Sequence, residues 1–401
     1  MPQNPRTDGQ PDERIDGQAD EQADERTDER IDGQTDRQTD ERADERTGEV
    51  WILGATGRIG RAVAARLVAR GRTPVLVGRD RERLRGAAAD LGRGDDVRIV
   101  VADTAERVAA EITRRRPGVV VNTIGDYAAT ATTIARACMP GGHYVDLAAD
   151  LAAVPRLLGL HDEATAAGST LVTGAGFGVL ATEAVVARLC EGRPTPREVR
   201  VDALSSVATE AGTMGAAFAG SVVGALTTGG RRYDNGRLVR TRLGANPREV
   251  TLPDGQRVKS AGAPSAELVA ARRASGAPSV TVTSALIPTS PAVRAALPVL
   301  GLLLTVPALR RRAVRRLAGT PFEAAPRPRR HSWGHAVVTW PDGTSREGWL
   351  RAADGMDYTA DVVTETALRL AGGEARPGAY TPTAAFGPDL AEAAGGEFLL
   401  D

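Results

Sequence analysis

The segment EVWILGATGRIGRAVAARLVARG, residues 49–71, constrains this chain more than any other. A short apolar run (49–54) enters a glycine-rich turn (54–60), and an amphipathic stretch (61–71) follows, closed by Gly71. That order predicts a strand, a tight turn and a helix. The pattern then repeats. Apolar runs at 73–80, 96–104, 118–127, 143–150 and 169–178 are separated by helical stretches at 82–92, 105–116, up to Cys138, and around 152–167. Continuous apolar strands joined by helices are buried on both faces, so we predict an α/β fold with a doubly wound parallel sheet.

The character shifts near residue 180. A helix (181–191) and a strand (197–206) precede glycine- and alanine-rich polar segments. Runs at 279–288, 335–343 and 344–352 then alternate in strand fashion, with Pro341-Asp342-Gly343 as a hairpin turn. Strands without intervening helices predict a second, α+β domain for substrate binding or dimerisation. The apolar spacing of 358–373 predicts a helix that packs back on the first domain. The expected divisions are 1–47, 48–178, 179–353 and 354–401.

Residues 7–46 are ten consecutive tetrads with aspartate second in each, such as TDGQ and PDER. Residues 1–46 hold 16 acidic side chains against 7 arginines, and Ile15 and Ile31 are the only large apolar residues of the tetrads. Such a segment is expected to be a disordered tail. The chain's formal net charge of zero therefore hides a basic body. Its arginines form no stripe interleaved with aromatics, so nucleic acid is not an expected partner. No secretory signal pattern opens the chain, which predicts a cytoplasmic location. Cys138 and Cys190 lie in apolar surroundings and read as core thiols. His143, His161, His331 and His335 show no metal-ligand spacing, so no metal is expected.

Gly54, Gly57 and Gly60 stand at the strand-to-helix turn, the Rossmann position for a dinucleotide. There the missing Cβ atoms admit a pyrophosphate, and the helix N-terminus offers free N–H groups and a positive dipole end. The end of the second strand selects the dinucleotide. It reads Gly78-Arg79-Asp80: an arginine suits the 2′-phosphate of NADP, whereas Asp80 could instead take the ribose of NAD. We expect NADP(H). Asp103, ending the third strand, falls beside the adenine position, and Asn122 and Gly125, ending the fourth, fall near the nicotinamide ribose.

The stretches VVVNTIGDY (119–127), ARACMPGGHYVDLAAD (135–150), HDEATAAGSTLVTGAGFG (161–178), DYTADVVTETALRL (357–370) and GAYTPTAAFGPDL (378–390) resemble the saccharopine dehydrogenase-like family. The likeness covers most of 49–401 and is nearest to its stand-alone reductases, which include trans-acting enoyl reductases. It implies an NADP-binding Rossmann domain, an inserted α+β substrate domain and hydride transfer. It also implies that Thr56, Arg58 and Ile59 join Gly54, Gly57, Gly60, Arg79, Asp103, Asn122 and Gly125 at the cofactor. The chain departs from the family pattern at Asp126, where proline is usual, at Ala149-Asp150, where glycine-glutamate is usual, and at Gly178, where aspartate is usual. These departures face the expected substrate.

Hydride transfer needs a proton donor for the second atom of the reduced bond. Tyr127, Tyr144 and Asp146 fall near carboxyl ends of central strands and are the acid–base candidates, with a purely structural role as the alternative for each. The segment AALPVLGLLLTVPALRRRAVRR (295–316) is too short and too proline-broken to span a bilayer. It reads as a lid over an apolar substrate, a helix lying on an anionic membrane surface, or a core or dimer-interface helix. Together these features predict an NADPH-dependent oxidoreductase that reduces a C=C, C=N or C=O bond of an apolar, acyl-type metabolite. A cofactor-binding scaffold without turnover, or a peripheral lipid-surface protein anchored through 295–316, is the alternative.

Overall fold

The computed structural model describes residues 48–94 and 96–400. The tetrad-repeat tail lies outside the described residues. The first half of the chain runs β1 (Val50–Leu53), α1 (Arg58–Ala69), β2 (Val75–Gly78), α2 (Arg81–Asp90), β3 (Ile99–Val101) and α3 (Ala105–Arg115). It continues with β4 (Val119–Asn122), α4 (Tyr127–Cys138), β5 (His143–Asp146), α5 (Ala153–Leu158), α6 (His161–Ala166), β6 (Thr170–Val172) and α7 (Phe177–Cys190). Side-chain caps start two of these helices: Asp80 accepts from the Arg83 N–H and Thr104 from the Arg107 N–H. The single helix expected around 152–167 is two short ones, interrupted at Gly159-Leu160.

The remainder runs β7 (Glu198–Leu204), β8 (Gly212–Thr213), α8 (Ala216–Thr228), β9 (Gly230–Asp234), β10 (Arg237–Thr241), β11 (Arg248–Thr251) and β12 (Arg257–Gly262). Then come α9 (Glu267–Ser275), β13 (Ser279–Ser284), α10 (Pro291–Leu303), α11 (Pro307–Ala318), β14 (Pro321–Phe322), β15 (Ser332–Thr339) and β16 (Ser345–Ala352). The last elements are α12 (Gly355–Ala371), β17 (Gly378–Tyr380), α13 (Pro382–Phe386), α14 (Asp389–Ala393) and β18 (Glu397–Leu400).

The first sheet is parallel, in the order β17-β6-β5-β4-β1-β2-β3. Strand direction puts alternate side chains on opposite faces. Val50, Ile52, Val119 and Val121 join one core with residues of α1, α7 and α12, whereas Trp51, Leu53, Val120 and Tyr144 join a second core with α3 and α4. Both faces are covered, as the unbroken apolar runs require.

The second sheet is mixed, in the order β10-β9-β13-β7-β15-β16-β18, with β12 and β11 branching from β13. Val199, Val201, Val280, Val282, Ala336 and Val338 turn inward and share the core that holds α1 and α7. Helix α12 packs on α1, where Arg66 pairs with Asp361 and Arg70 with Glu365.

Three segments differ from the sequence expectation. Residues 207–278, read as polar and irregular, hold α8, α9 and four longer strands. Glycine and threonine in α8 and paired arginines in β9 and β10 hid these patterns. The 378–400 segment adds β17 to the first sheet and β18 to the second. The 295–316 segment is not a core helix. It bends between α10 and α11, only Leu297 and Gly301 of α10 are buried, and no residue of α11 is.

Candidate active site

Strand order reverses between β1 and β4, and ligands of open α/β sheets bind at such a switch point, beyond the carboxyl ends of the strands. Leu53 pairs with Asn122 there, so the glycine turn and the 123–126 loop emerge side by side.

The three glycines do different work. Gly54 has φ +75°, and a Cβ there would also press on Thr123 Oγ1 at 2.8 Å. Gly60 faces its own turn: a Cβ would lie 2.5 Å from the Gly54 carbonyl oxygen and 2.8 Å from Ala55 Cα. Its lack of a side chain serves helix–turn packing, not pyrophosphate approach, which corrects the role expected for it. At Gly57 a Cβ would meet only the Gly54 carbonyl oxygen, at 3.2 Å, and the space beyond is open.

Gly57 begins α1 with no side-chain cap and no acid in the first turn. The first N–H groups of the helix, including those of Arg58 and Ile59, are thus left for an anion. Thr56 lies on the same turn, and its carbonyl accepts from Arg61. A cavity of about 270 Å³ opens beside this turn, lined by Ile59 and Ala62 on one side and by Glu210 and Met356 on the other.

The Arg58 guanidinium is held by the protein itself. It donates to the Ala208 carbonyl at 2.9 Å and pairs with Glu210 at 3.0 Å, so Arg58 can serve a phosphate through its backbone N–H alone. Asp354 completes this clamp. It caps α12 and accepts from the Ala208 N–H at 2.7 Å, 3.9 Å from Arg58 Nη2.

Arg79 follows β2, is exposed, and has no ion pair or side-chain hydrogen bond among the described residues. Asp80 beside it is occupied as the α2 cap. A free guanidinium next to an engaged carboxylate fits a 2′-phosphate better than it fits a bare ribose. Asp103 pairs with Arg107 at 3.1 Å just beyond β3. Gly125, with φ +82°, shapes the loop beyond β4. The cradle at Gly57, the uncapped helix and the free Arg79 together fit NADP(H).

Two of the acid–base candidates are placed otherwise than expected. Tyr144 and Asp146 are fully buried. Asn122 Nδ2 donates to Tyr144 Oη, which donates to Asp146 Oδ2, both at 2.9 Å. Asp146 Oδ1 accepts from Thr173 Oγ1 and from the Ala148 and Gly174 N–H groups. Burial raises the Asp146 carboxyl above its ordinary value, and burial with the neighbouring Asp146 raises the Tyr144 phenol. Both side chains are buried and fully engaged, so Asn122, Tyr144 and Asp146 form a hydrogen-bonded chain that ties the ends of β4, β5 and β6.

Tyr127 differs. It opens α4, is partly exposed, and its hydroxyl is 3.3 Å from the Asn122 carbonyl. Burial of that hydroxyl, and then the Asp146 charge, keep it protonated well above the usual phenol range. It is the one acid–base candidate that retains an outward surface.

Sequence reasoning passed over three buried groups. Glu267, opening α9, has a carboxylate that would collide with any side chain at Gly178, and its Oε2 has no partner. Glu183 accepts from the Thr383 N–H and meets the Thr381 hydroxyl, and burial lifts it to about 7. On the outer face of the second sheet, His335 bridges Asp202 at 2.7 Å and Glu347 at 2.8 Å and stacks on Trp349. Single acidic or histidine residues in strand or helix patterns carry no signal of such partners. Burial raises the thiols of Cys138 and Cys190, the latter to about 11, consistent with core roles. Among the described residues no group of three or more His, Cys, Asp or Glu side chains is arranged so that it could hold a metal ion.

A parallel sheet reversing at β1/β4, an open glycine turn and a mixed second sheet define a Rossmann dinucleotide-binding fold with an added domain. Residues 50–172 match the model of the saccharopine dehydrogenase NADP binding domain, and that match supports NADP(H) as the cofactor. A trans-acting enoyl reductase of Mycobacterium leprae is 32% identical over 134 residues, which span 32% of this chain and 32% of that protein, about a third of its length. The apo saccharopine dehydrogenase (L-Glu forming) of Saccharomyces cerevisiae aligns over 88% of this chain and 99% of its own, with a TM-score of 0.54 and 12% identity. That likeness extends the shared fold across the second domain.

Proposed function

We propose that the protein is an NADPH-dependent reductase of a C=C, C=N or C=O bond in an apolar, acyl-type metabolite. The observation that carries this is the unpaired Arg79 at the end of β2, set beside an open, uncapped glycine turn. The enoyl reductase relative favours an acyl substrate. Bound NADPH would supply the hydride.

The chain's own groups do the rest. The α1 N–H groups and Gly57 would seat the pyrophosphate, and Arg79 the 2′-phosphate. The buried Asn122–Tyr144–Asp146 chain holds the β4 and β5 ends at fixed spacing, so that the nicotinamide end meets a constant wall. Tyr127 Oη, protonated and turned to the Asn122 carbonyl, would swing to donate a hydrogen bond to the substrate atom that gains negative charge, and a proton from solvent would complete the reduction.

The test is NADPH oxidation, followed by absorbance, with a panel of enoyl, imine and keto acyl thioesters. Consumption of NADPH with one class assigns the bond. Tight NADPH binding with no turnover on any class would favour the scaffold reading, which the burial of Tyr144 and Asp146 already supports.

A further inference from the structure

We propose that α10, α11 and the bend between them form a docking surface for an anionic lipid bilayer. Fourteen large apolar side chains are exposed among the described residues, and eight of them lie between 286 and 309. Leu286, Val299 and Leu302 are 67%, 64% and 71% exposed. Scattered exposed leucines are ordinary, but a contiguous group of this kind marks an interaction site.

The patch is built to project. Gly301 lets α10 approach α8 closely, since a Cβ there would lie 2.5 Å from the Leu226 carbonyl oxygen. Leu297 and Leu304 anchor the inner side. Leu302, Leu303, Val306 and Leu309 are left outside, around the bend that Pro307 opens into α11.

Charge identifies the occupant. Residues 268–322 contain no aspartate or glutamate and eight arginines. Arg310, Arg311, Arg312, Arg315 and Arg316 are exposed on α11, directly after the apolar bend. Their side chains make no ion pair or hydrogen bond among the described residues. An apolar edge followed within one to two helical turns by free guanidinium groups matches the acyl boundary and the anionic headgroups of a bilayer in depth and sign. A second copy of this chain fits poorly. A two-fold contact here would bring arginine-rich α11 near its own image, with no acid in the segment to answer it. No helix among the described residues is long and apolar enough to cross a membrane, so the contact is peripheral.

The surface is joined to the cofactor cleft. Helix α8 packs under both α10 and α11, and β8, just before α8, pairs with β14. Glu210, two residues before β8, is the partner of Arg58 on the glycine-turn helix. Docking would therefore set the cleft beside the lipid. This inference does not depend on which bond the enzyme reduces.

The experiment is vesicle flotation of the full chain with NADPH present, comparing phosphatidylglycerol-containing vesicles with pure phosphatidylcholine. Two variants accompany it, Leu302→Glu/Leu303→Glu and Arg311→Ser/Arg312→Ser/Arg315→Ser. All five side chains are exposed, so unchanged melting temperature and NADPH affinity are expected and serve as controls. The wild type should float with the anionic vesicles and bind neutral ones at least tenfold more weakly. The triple arginine variant should lose roughly a hundredfold in affinity for anionic vesicles, and the leucine variant at least tenfold. Equal binding to neutral vesicles, or no flotation of the wild type, overturns the proposal. A concentration-dependent dimer dissolved by Leu302→Glu/Leu303→Glu, without flotation, also overturns it and assigns the face to self-association.

Discussion

Replacing Arg79 with alanine isolates the contribution of the 2′-phosphate. The side chain has no partner to abandon and its neighbour Asp80 is committed to the α2 cap, so the substitution should leave the fold untouched. The loss is confined to the phosphate contact. A hydrogen bond to a charged group contributes about 1.5–3 kcal/mol, or roughly 10- to 150-fold in dissociation constant. Because Arg79 is exposed, the lower half of that range is expected in physiological salt, and the effect should grow at low ionic strength. NADH lacks the phosphate, so its affinity should change by about twofold or less. Calorimetric titration of wild type and Arg79→Ala with both nucleotides, at two salt concentrations, reads all of this. Equal losses for NADPH and NADH, or a salt-independent loss, would show that the 2′-phosphate lies elsewhere.

Gly60→Ala should destabilise the protein by about 1–3 kcal/mol and weaken both nucleotides, because the new methyl displaces the glycine turn; a thermal melt with nucleotide titration tests it. Tyr127→Phe should leave NADPH affinity unchanged while lowering kcat by about a hundredfold or more; an unchanged kcat would remove Tyr127 from the chemistry. Glu183, raised from 4.5 to about 7, holds extra protons in the folded state, so its contribution to stability declines as pH rises from 4.5 to 7 and then levels off. Glu183→Gln mimics the protonated form, donating to Thr381 and accepting from the Thr383 N–H. Urea melts should show wild type losing about 3 kcal/mol relative to this variant between pH 4.5 and 8; parallel pH profiles would refute the assignment.

The parallel sheet was legible because its strands are apolar on both faces and its helices carry regular spacing. Gly54, Gly57, Arg79 and Asn122 could be named as candidates from their places at strand ends, which sequence order alone supplies. The finer roles were not legible. Whether Gly60 faces a ligand or its own turn, and whether Arg58 faces phosphate or the Ala208 carbonyl, depends on contacts across as many as 150 residues. Tyr144 and Asp146 looked like an acid–base pair because period two places them on one strand face; their full burial follows from β6 and the 173–174 loop, which the pattern does not locate in space. Strands β9 and β10 escaped notice because an arginine-rich, half-exposed hairpin lacks the apolar alternation that marks a strand.

The residues from 378 to 400 give β17 to one sheet and β18 to the other. β17 pairs with β6, whose residues lie 208 positions earlier, Gly378 against Thr170. Neither sheet closes until this segment is in place, and each pairing must close a long loop before its hydrogen bonds form. Such a chain should fold slowly and late. One segment stitched into both sheets also couples their melting, so the two should be lost in a single cooperative transition.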